Sequence, residues 1–504
     1  MDVKARLRRL TYLAHRWLGV GGCLLMLAWF LSGIVMLYVG YPKLTPEERF
    51  VSLPVLAADV LRPLDAAQAG GTLAVLTSVR GEPTYIVPTP DGPRAWSART
   101  GQADGAVTAD MAIAAAHAFW PAGTPRHAGL IDEDRWTHSR GLDRHRPLHK
   151  VRVEGDAAGT LYVSSATGEV VLDAPIAQQR WNYVGAWLHW LYMARDRSVD
   201  PVWSWMVIIL SAVCTVLAVS GTVVGVWRWR FRGRYKTGAR TPYRESWMRW
   251  HHIIGVAFSA FVCTWIFSGL MSMNPGGLFA GSDPGPDRHA MAGAQRAAPI
   301  TDPRPVLQAL HDTGFHPVQL EWRRMAGQPY VLARDAMAGS RIVRREDGAL
   351  IVQPEWQPEA VLDAARALFP GATVQATLLD HYDAYYYARH AEAMNGGAPR
   401  GLPVLRLDFD TPAGDRVYVD LRTGEPVLSL SRAQRVGRWL FYFLHSWDTP
   451  ALLNAGVGRD LALILLSLGG LAVSATGIVL GARRLGWARG APVESRHPRS
   501  QGTR

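Results

Sequence analysis

Four stretches of the chain run on without a charged side chain for longer than a hydrocarbon core is thick: 17–38, 201–227, 253–273 and 461–482. About 20 apolar residues in a helix cross such a core, so the pattern predicts four membrane-spanning helices. Two shorter apolar segments, 181–193 and 439–447, precede the second and fourth stretches. They are too short to span and read as interfacial or re-entrant helices. Elsewhere the periodicity is that of water-exposed domains. "AIAAAHAFWPAG" (112–123) and "AVLDAARALFPGA" (360–372) have helical spacing ended by proline. Each is followed by alternating strand patterns, "HKVRVEG" and "TLYVSS" in one case, "VLRLDFD" and "RVYVDL" in the other, with Thr-Gly-Glu at the turn. The unit is a helix followed by a hairpin. "RPLDAAQAGG" (62–71) and "PRPVLQALHDTGF" (303–315) read as degenerate first copies of the helix.

The chain repeats itself. His15 stands 236 positions before His251, and the same offset carries Ser32-Gly33 to Ser268-Gly269. An offset of 256 carries Thr167-Gly168-Glu169 to Thr423-Gly424-Glu425, and Leu188-His189 to Leu444-His445. "LAVS" recurs at 217–220 and 471–474. The expected fold class is therefore a membrane α-helical bundle of four transmembrane helices, arranged as a tandem duplication, with two α+β domains outside the bilayer.

Charge settles the expected orientation. A formal charge of +12 would suggest nucleic acid on a soluble chain. Here it gathers in short flanks of the spans: Lys4, Arg6, Arg8 and Arg9, then eight basic residues against Glu245 between 228 and 249, then Arg483, Arg484 and Arg489. Such flanks face the cytoplasm, which explains the charge better than nucleic acid does. The expected organisation is 1–39 as cytoplasmic N-terminus and first span, 40–180 as first outer domain, and 181–227 as interfacial helix and second span. It continues with 228–250 as basic cytoplasmic loop, 251–273 as third span, 274–438 as second outer domain, 439–484 as interfacial helix and fourth span, and 485–504 as cytoplasmic tail. Cys23, Cys214 and Cys263 all lie inside spans, so the outer domains have no disulfide framework. The first apolar run is too long for a signal-peptide core and is expected to stay as an anchor.

Histidines at membrane depth are functional candidates. His15 and His251 open the first and third spans; His189 and His445 sit in the two short segments. Imidazole is a common axial ligand of haem iron, and a duplicated chain supplies one ligand per half. The competing reading is interfacial decoration beside arginine and tryptophan. His252 rivals His251, since helical neighbours point about 100° apart and only one can face a given partner. Alignment with His15 selects His251, and Arg16 aligns with His252. Two further clusters are weaker candidates. "THSRGLDRHRPLHK" (137–150) reads as a solvated basic loop, with His138, His145 and His149 among cations. "DHYDAYYYARH" (380–390) reads as the edge of a packed sheet.

Taken together, the "HRWLG" opening, the Trp/Phe-Leu-His segments, the Ser/Thr-Gly pairs late in the spans and the "YV…TGE.VL" strands resemble the PepSY-associated transmembrane family. The resemblance covers nearly the whole chain. It implies two PepSY-like periplasmic domains on a multi-pass inner-membrane protein, N-in and C-in. It also implies two b-type haems, ligated by His15 with His251 and by His189 with His445, with no metal beyond haem iron. The activity it implies is reduction of a periplasmic ferric siderophore. No G-x-G-x-x-G fingerprint follows a cytoplasmic strand, so electrons come from quinol in the lipid bilayer or a separate cytoplasmic reductase. The competing functions are a membrane-anchored PepSY binding or regulatory protein without redox activity, and a small transporter with a histidine proton relay. Helices of about 22 residues rising ~1.5 Å each would start the two pairs roughly 33 Å apart, so the rings are expected to lean inward or the short segments to dip into the bilayer.

Overall fold

The computed structural model describes residues 3–487 except 60, 64–73, 157, 295–300, 395, 397 and 399. Among them, four helices are long and apolar enough to cross a membrane: Val3–Met36, Pro201–Arg228, Ser246–Ser272 and Val457–Arg484. This is a membrane protein that also carries β-sheet. Each helix runs past its apolar stretch into the flanking arginines, because helical hydrogen bonds continue where the lipid contact ends. The chain divides into two compact units, one of residues 1–31, 206–273 and 461–504, the other of 32–205 and 274–460.

The first unit is all helix. Small residues set its packing. Gly470 faces the Phe30 ring, whose nearest atoms would lie 2.6 Å from a Cβ there, and Phe30 in turn meets Trp265 at 5.9 Å. Close helix approach through glycine is the usual substitute for hydrophobic drive inside lipid. Leu24, Val216 and Leu465 point outward and exposed, as lipid-facing residues do.

The second unit holds the sheets. In chain order the strands are β1 Val75–Val79, β2 Glu82–Thr89, β3 Gly92–Ser97, β4 Gly123–Ile131, β5 Leu148–Gly155, β6 Gly159–Ser164, β7 Val170–Pro175, β8 Pro317–Met325, β9 Gln328–Asp335, β10 Ser340–Glu346, β11 Ala349–Gln353, β12 Val374–Leu379, β13 Val404–Phe409, β14 Arg416–Asp420 and β15 Glu425–Leu430. They form sheets of order β4-β5-β6-β7, β12-β13-β14-β15 and β11-β10-β9-β8-β1-β2-β3. The seven-stranded sheet draws on both long segments: β1 pairs antiparallel with β8, Val75 opposite Glu321 and Leu76 opposite Leu320. Its core includes Leu76, Leu307, Leu310, Leu320 and Val331. Helix Pro303–Asp312, read from the pattern at 303–315, supplies two of these; residues 64–71 of its counterpart lie outside the described residues.

The two four-stranded sheets match each other in build. Helix Ala109–Phe119 lays Ala112, Ala115 and Ala116 against Val151, Val153, Leu161 and Val163. Helix Pro358–Ala365 lays Val361, Ala364 and Ala365 against Leu405, Leu407, Val417 and Val419. Both Thr-Gly-Glu triplets occupy turns, Gly168 at φ 75° and Gly424 at φ 74°, a left-handed backbone that glycine adopts without Cβ strain. Each unit has four strands rather than a hairpin. β4 escapes a pattern reading because glycine, threonine, proline and histidine fill much of it, and β12 because four of its six positions are exposed.

Two loop expectations are corrected. Residues 137–150 are not a solvated loop: His138, His145 and His149 are all buried. A 3-10 turn, Arg140–His145, folds the segment back, and Arg146 donates to the Thr137 carbonyl at 2.6 Å while pairing with Asp143 at 3.1 Å. Nor is 380–390 a sheet edge. It is irregular chain in which Tyr386 is fully buried and stacks on Tyr418, ring centres 5.1 Å apart and planes 14° apart.

Candidate functional site

Within the helical unit, His15 and His251 face each other, ring centroids 6.2 Å apart and planes inclined by 30°. Their hydrogen bonds fix which nitrogen carries the proton. His15 Nδ1 lies 3.4 Å from the Leu217 carbonyl, which can only accept, so Nδ1 is the protonated nitrogen. His251 Nδ1 lies 2.9 Å from Thr476 Oγ1. That hydroxyl already donates to its own helix, to the Ala472 carbonyl at 2.8 Å, so it accepts from His251. Both rings are thereby set as Nδ1–H tautomers whose Nε2 keeps its lone pair, the arrangement that second-shell partners impose on metal-binding histidines.

Glycines make room for these rings. A Cβ at Gly221 would come within 2.7 Å of His15 Cε1, and one at Gly477 would lie 3.5 Å from His251 Cε1. The rival His252 is buried and turned elsewhere. Its Nδ1 meets Thr241 Oγ1 at 2.7 Å and its Nε2 meets the Gly225 carbonyl at 2.9 Å. Both nitrogens are engaged, and the ring is edged by Trp229 and Tyr243.

Within the second unit, His189 and His445 also face each other, centroids 6.0 Å apart and planes inclined by 72°. Ser32 Oγ lies 2.9 Å from His189 Nδ1, and a Cβ at Gly33 would reach His189 Cε1 at 4.0 Å. His189 closes the short helix Ala186–His189, and His445 lies in Leu444–Ser446, which continues the π-helical Trp439–Phe443. Two residues after each histidine the backbone turns left-handed, at Leu191 (φ 55°) and Trp447 (φ 50°). A bulky residue there costs about 1–3 kcal/mol and persists only where surroundings impose it. Those surroundings are visible. Arg459 donates to the Trp447 carbonyl at 3.1 Å; Asp448, fully buried, receives Tyr387 at 2.5 Å and Arg438 at 3.1 Å. On the other side Trp203 Nε1 donates to the Trp190 carbonyl at 2.8 Å.

The four histidines thus come together as two pairs, each within one unit. The glycine cradle is what a reading by "LAVS" misses. That repeat has an offset of 254, whereas Ser220-Gly221 and Thr476-Gly477 stand 256 apart, the offset of the Leu-His pairs. Each span carries one Ser/Thr-Gly pair, and Gly33, Gly221 and Gly477 each face a histidine ring.

Two buried histidines elsewhere, His149 and His138, are satisfied locally. His149 Nε2 meets the Val107 carbonyl at 3.0 Å and its Nδ1 meets His127 at 3.0 Å; burial, with His127 beside it, lowers its pKa. His138 is likewise lowered by burial although Glu133 lies 3.2 Å away. Among the described residues, no group of three or more His, Cys, Asp or Glu is placed to hold a metal ion. A six-coordinate haem needs only two protein ligands. A family model for the PepSY-associated TM region matches residues 12–484. No curated protein matches the chain.

Proposed function

The chain belongs to the PepSY-associated TM region family, and on that premise we propose that it is a di-haem reductase of the bacterial inner membrane, passing electrons to a periplasmic ferric siderophore. The observation that carries the proposal is the separation of the two histidine pairs, 6.2 and 6.0 Å between ring centres. Two imidazoles holding one iron between them, each with a metal–nitrogen bond of about 2 Å and a ring centre roughly 1 Å further on, would have ring centres about 6 Å apart. Both pairs have that spacing, and in the first pair both Nε2 atoms are left with lone pairs by the Nδ1 hydrogen bonds. The residues therefore fit haem b, held without covalent attachment, His15 with His251 and His189 with His445.

Haem bound between such ligands takes up and releases one electron. The chain's own part is to hold ring orientation and tautomer, through Leu217, Thr476 and Ser32, and to keep the sites dry. The basic flanks support an N-in, C-in topology, with His15 and His251 on the side of entry and His189 and His445 on the side of exit. The matched offsets and the matched four-stranded sheets support a tandem duplication with PepSY-like outer domains. One electron converts siderophore-bound Fe(III) to Fe(II), which hard oxygen donors hold less tightly; quinol or a cytoplasmic reductase supplies it.

The test has two stages. Purified protein should carry two low-spin b-type haems per chain. Proteoliposomes with trapped dithionite should then reduce an external ferric siderophore. Colourless protein that takes up no added haem would leave the second reading, a PepSY binding or regulatory protein. Haems that reduce while external iron(III) stays oxidised would refute the reductase.

A further inference from the structure

Asp173, on β7, stands out in the second unit as a buried carboxylate with one unpaired oxygen. It is 3% exposed, and its Oδ1 has no hydrogen bond. It lines an open concavity of about 380 Å³ together with Glu48, Val51, Ser52, Phe119, Trp120 and Pro121. The two charges that act on it, Glu48 and Glu392, have the same sign. Glu48 caps its own helix, accepting from the Thr45 backbone at 2.8 Å and hydroxyl at 2.6 Å. Glu392 accepts from Gln178 at 3.0 Å. Lys43, the ammonium that feels both glutamates, donates to the Ala393 and Gly396 carbonyls at 2.7 and 3.0 Å. Four residues after the second Thr-Gly-Glu, the place that corresponds to Asp173 is filled by Ser429. The fold therefore does not require an acid there.

The geometry points to a binding site for a small organic cation, an ammonium on an apolar body, whose charge meets Asp173 and whose body lies against Phe119 and Trp120. A buried carboxylate without a counter-charge is costly. An incoming ammonium supplies both the charge and the missing donor, and aromatic walls favour a cation beside them. Divalent metal suits the site less well, since no third acid or histidine joins in. The inference stands apart from the histidine pairs and does not depend on haem.

Benzylammonium is a suitable probe, titrated calorimetrically into the full-length protein in detergent at pH 8, with benzyl alcohol and phenylacetate as neutral and anionic counterparts. Benzylammonium should bind and the other two should neither bind nor displace it. Asp173→Asn, which keeps shape and removes charge, should weaken binding at least tenfold, and Trp120→Ala should weaken it with the carboxylate still present. Thermal melting checks that both variants fold. No binding to the wild type, equal binding to Asp173→Asn, or displacement by benzyl alcohol would each overturn the proposal; the last two would mark Asp173 as a buried acid serving only structure.

Discussion

Gly221 offers the sharpest perturbation of the inner histidine pair. In Gly221→Ala the new Cβ would lie 2.7 Å from His15 Cε1, 2.9 Å from Nδ1 and 3.6 Å from Nε2. Carbon atoms rest at about 3.5–4.0 Å, so the ring must retreat by roughly 0.8 Å or more. Metal–ligand distances tolerate about 0.2 Å. The retreat is several times that allowance, and the Nδ1 bond to Leu217, already 3.4 Å long, cannot follow it. We expect Gly221→Ala to lose His15 as a ligand, so that the haem content falls from two to one or half of the low-spin signal turns high-spin. The second pair lies in another unit and should keep its haem, which doubles as a check on folding. The assay is a reduced-minus-oxidised spectrum with a haem-to-protein ratio. Two unaltered low-spin haems in Gly221→Ala would refute the placement of a haem between His15 and His251.

Two further outcomes follow from the hydrogen bonds and burial. His252→Ala should retain both haems whereas His251→Ala loses one, since both His252 nitrogens are held by Thr241 and Gly225; a loss in His252→Ala alone, read by the same spectrum, would reverse the assignment. Burial, with Glu48 and Glu392 adding to it, pushes Asp173 from 3.8 up to about 7, so the folded protein holds a proton that the unfolded chain releases. The contribution of Asp173 to stability should therefore be most favourable below about pH 4, fall as pH rises towards 7, and carry the full cost above it, roughly 4 kcal/mol at most. Asp173→Asn should melt higher than the wild type at pH 8 and lose that advantage at pH 4; equal melting at both would show that the carboxylate is not strained.

The long helices and the histidine pairs are the features most open to a reading of the chain, because each rests on a pattern the chain cannot hide. An uncharged run of 20 residues has few other uses, and a histidine repeated at a fixed offset points to its own partner. His252 shows where pattern stops. Only the Thr241 and Gly225 contacts, set by a loop and a neighbouring helix, tell it from His251. The glycines that admit the rings look like ordinary small residues of membrane helices until their neighbours are known. Residues 137–150 mislead for another reason. Their arginines look like solvent-seekers, yet Arg146 folds back onto the Thr137 carbonyl and Asp143, and such local satisfaction leaves no mark in composition. Asp173 is similarly hidden, since "VVLDAP" reads as a strand whose acid would face water.

The pairing of β1 with β8 bears on how the chain is made. The partner residues Val75 and Glu321 stand 246 positions apart, and helices Pro201–Arg228 and Ser246–Ser272 lie between them in the chain. At about 5–20 residues per second, β8 emerges roughly 12–50 s after β1. Until then β1 is an open edge, and an open edge invites the wrong strand. Biogenesis of this protein must therefore bridge a delay during which three strands of the sheet wait for four not yet translated.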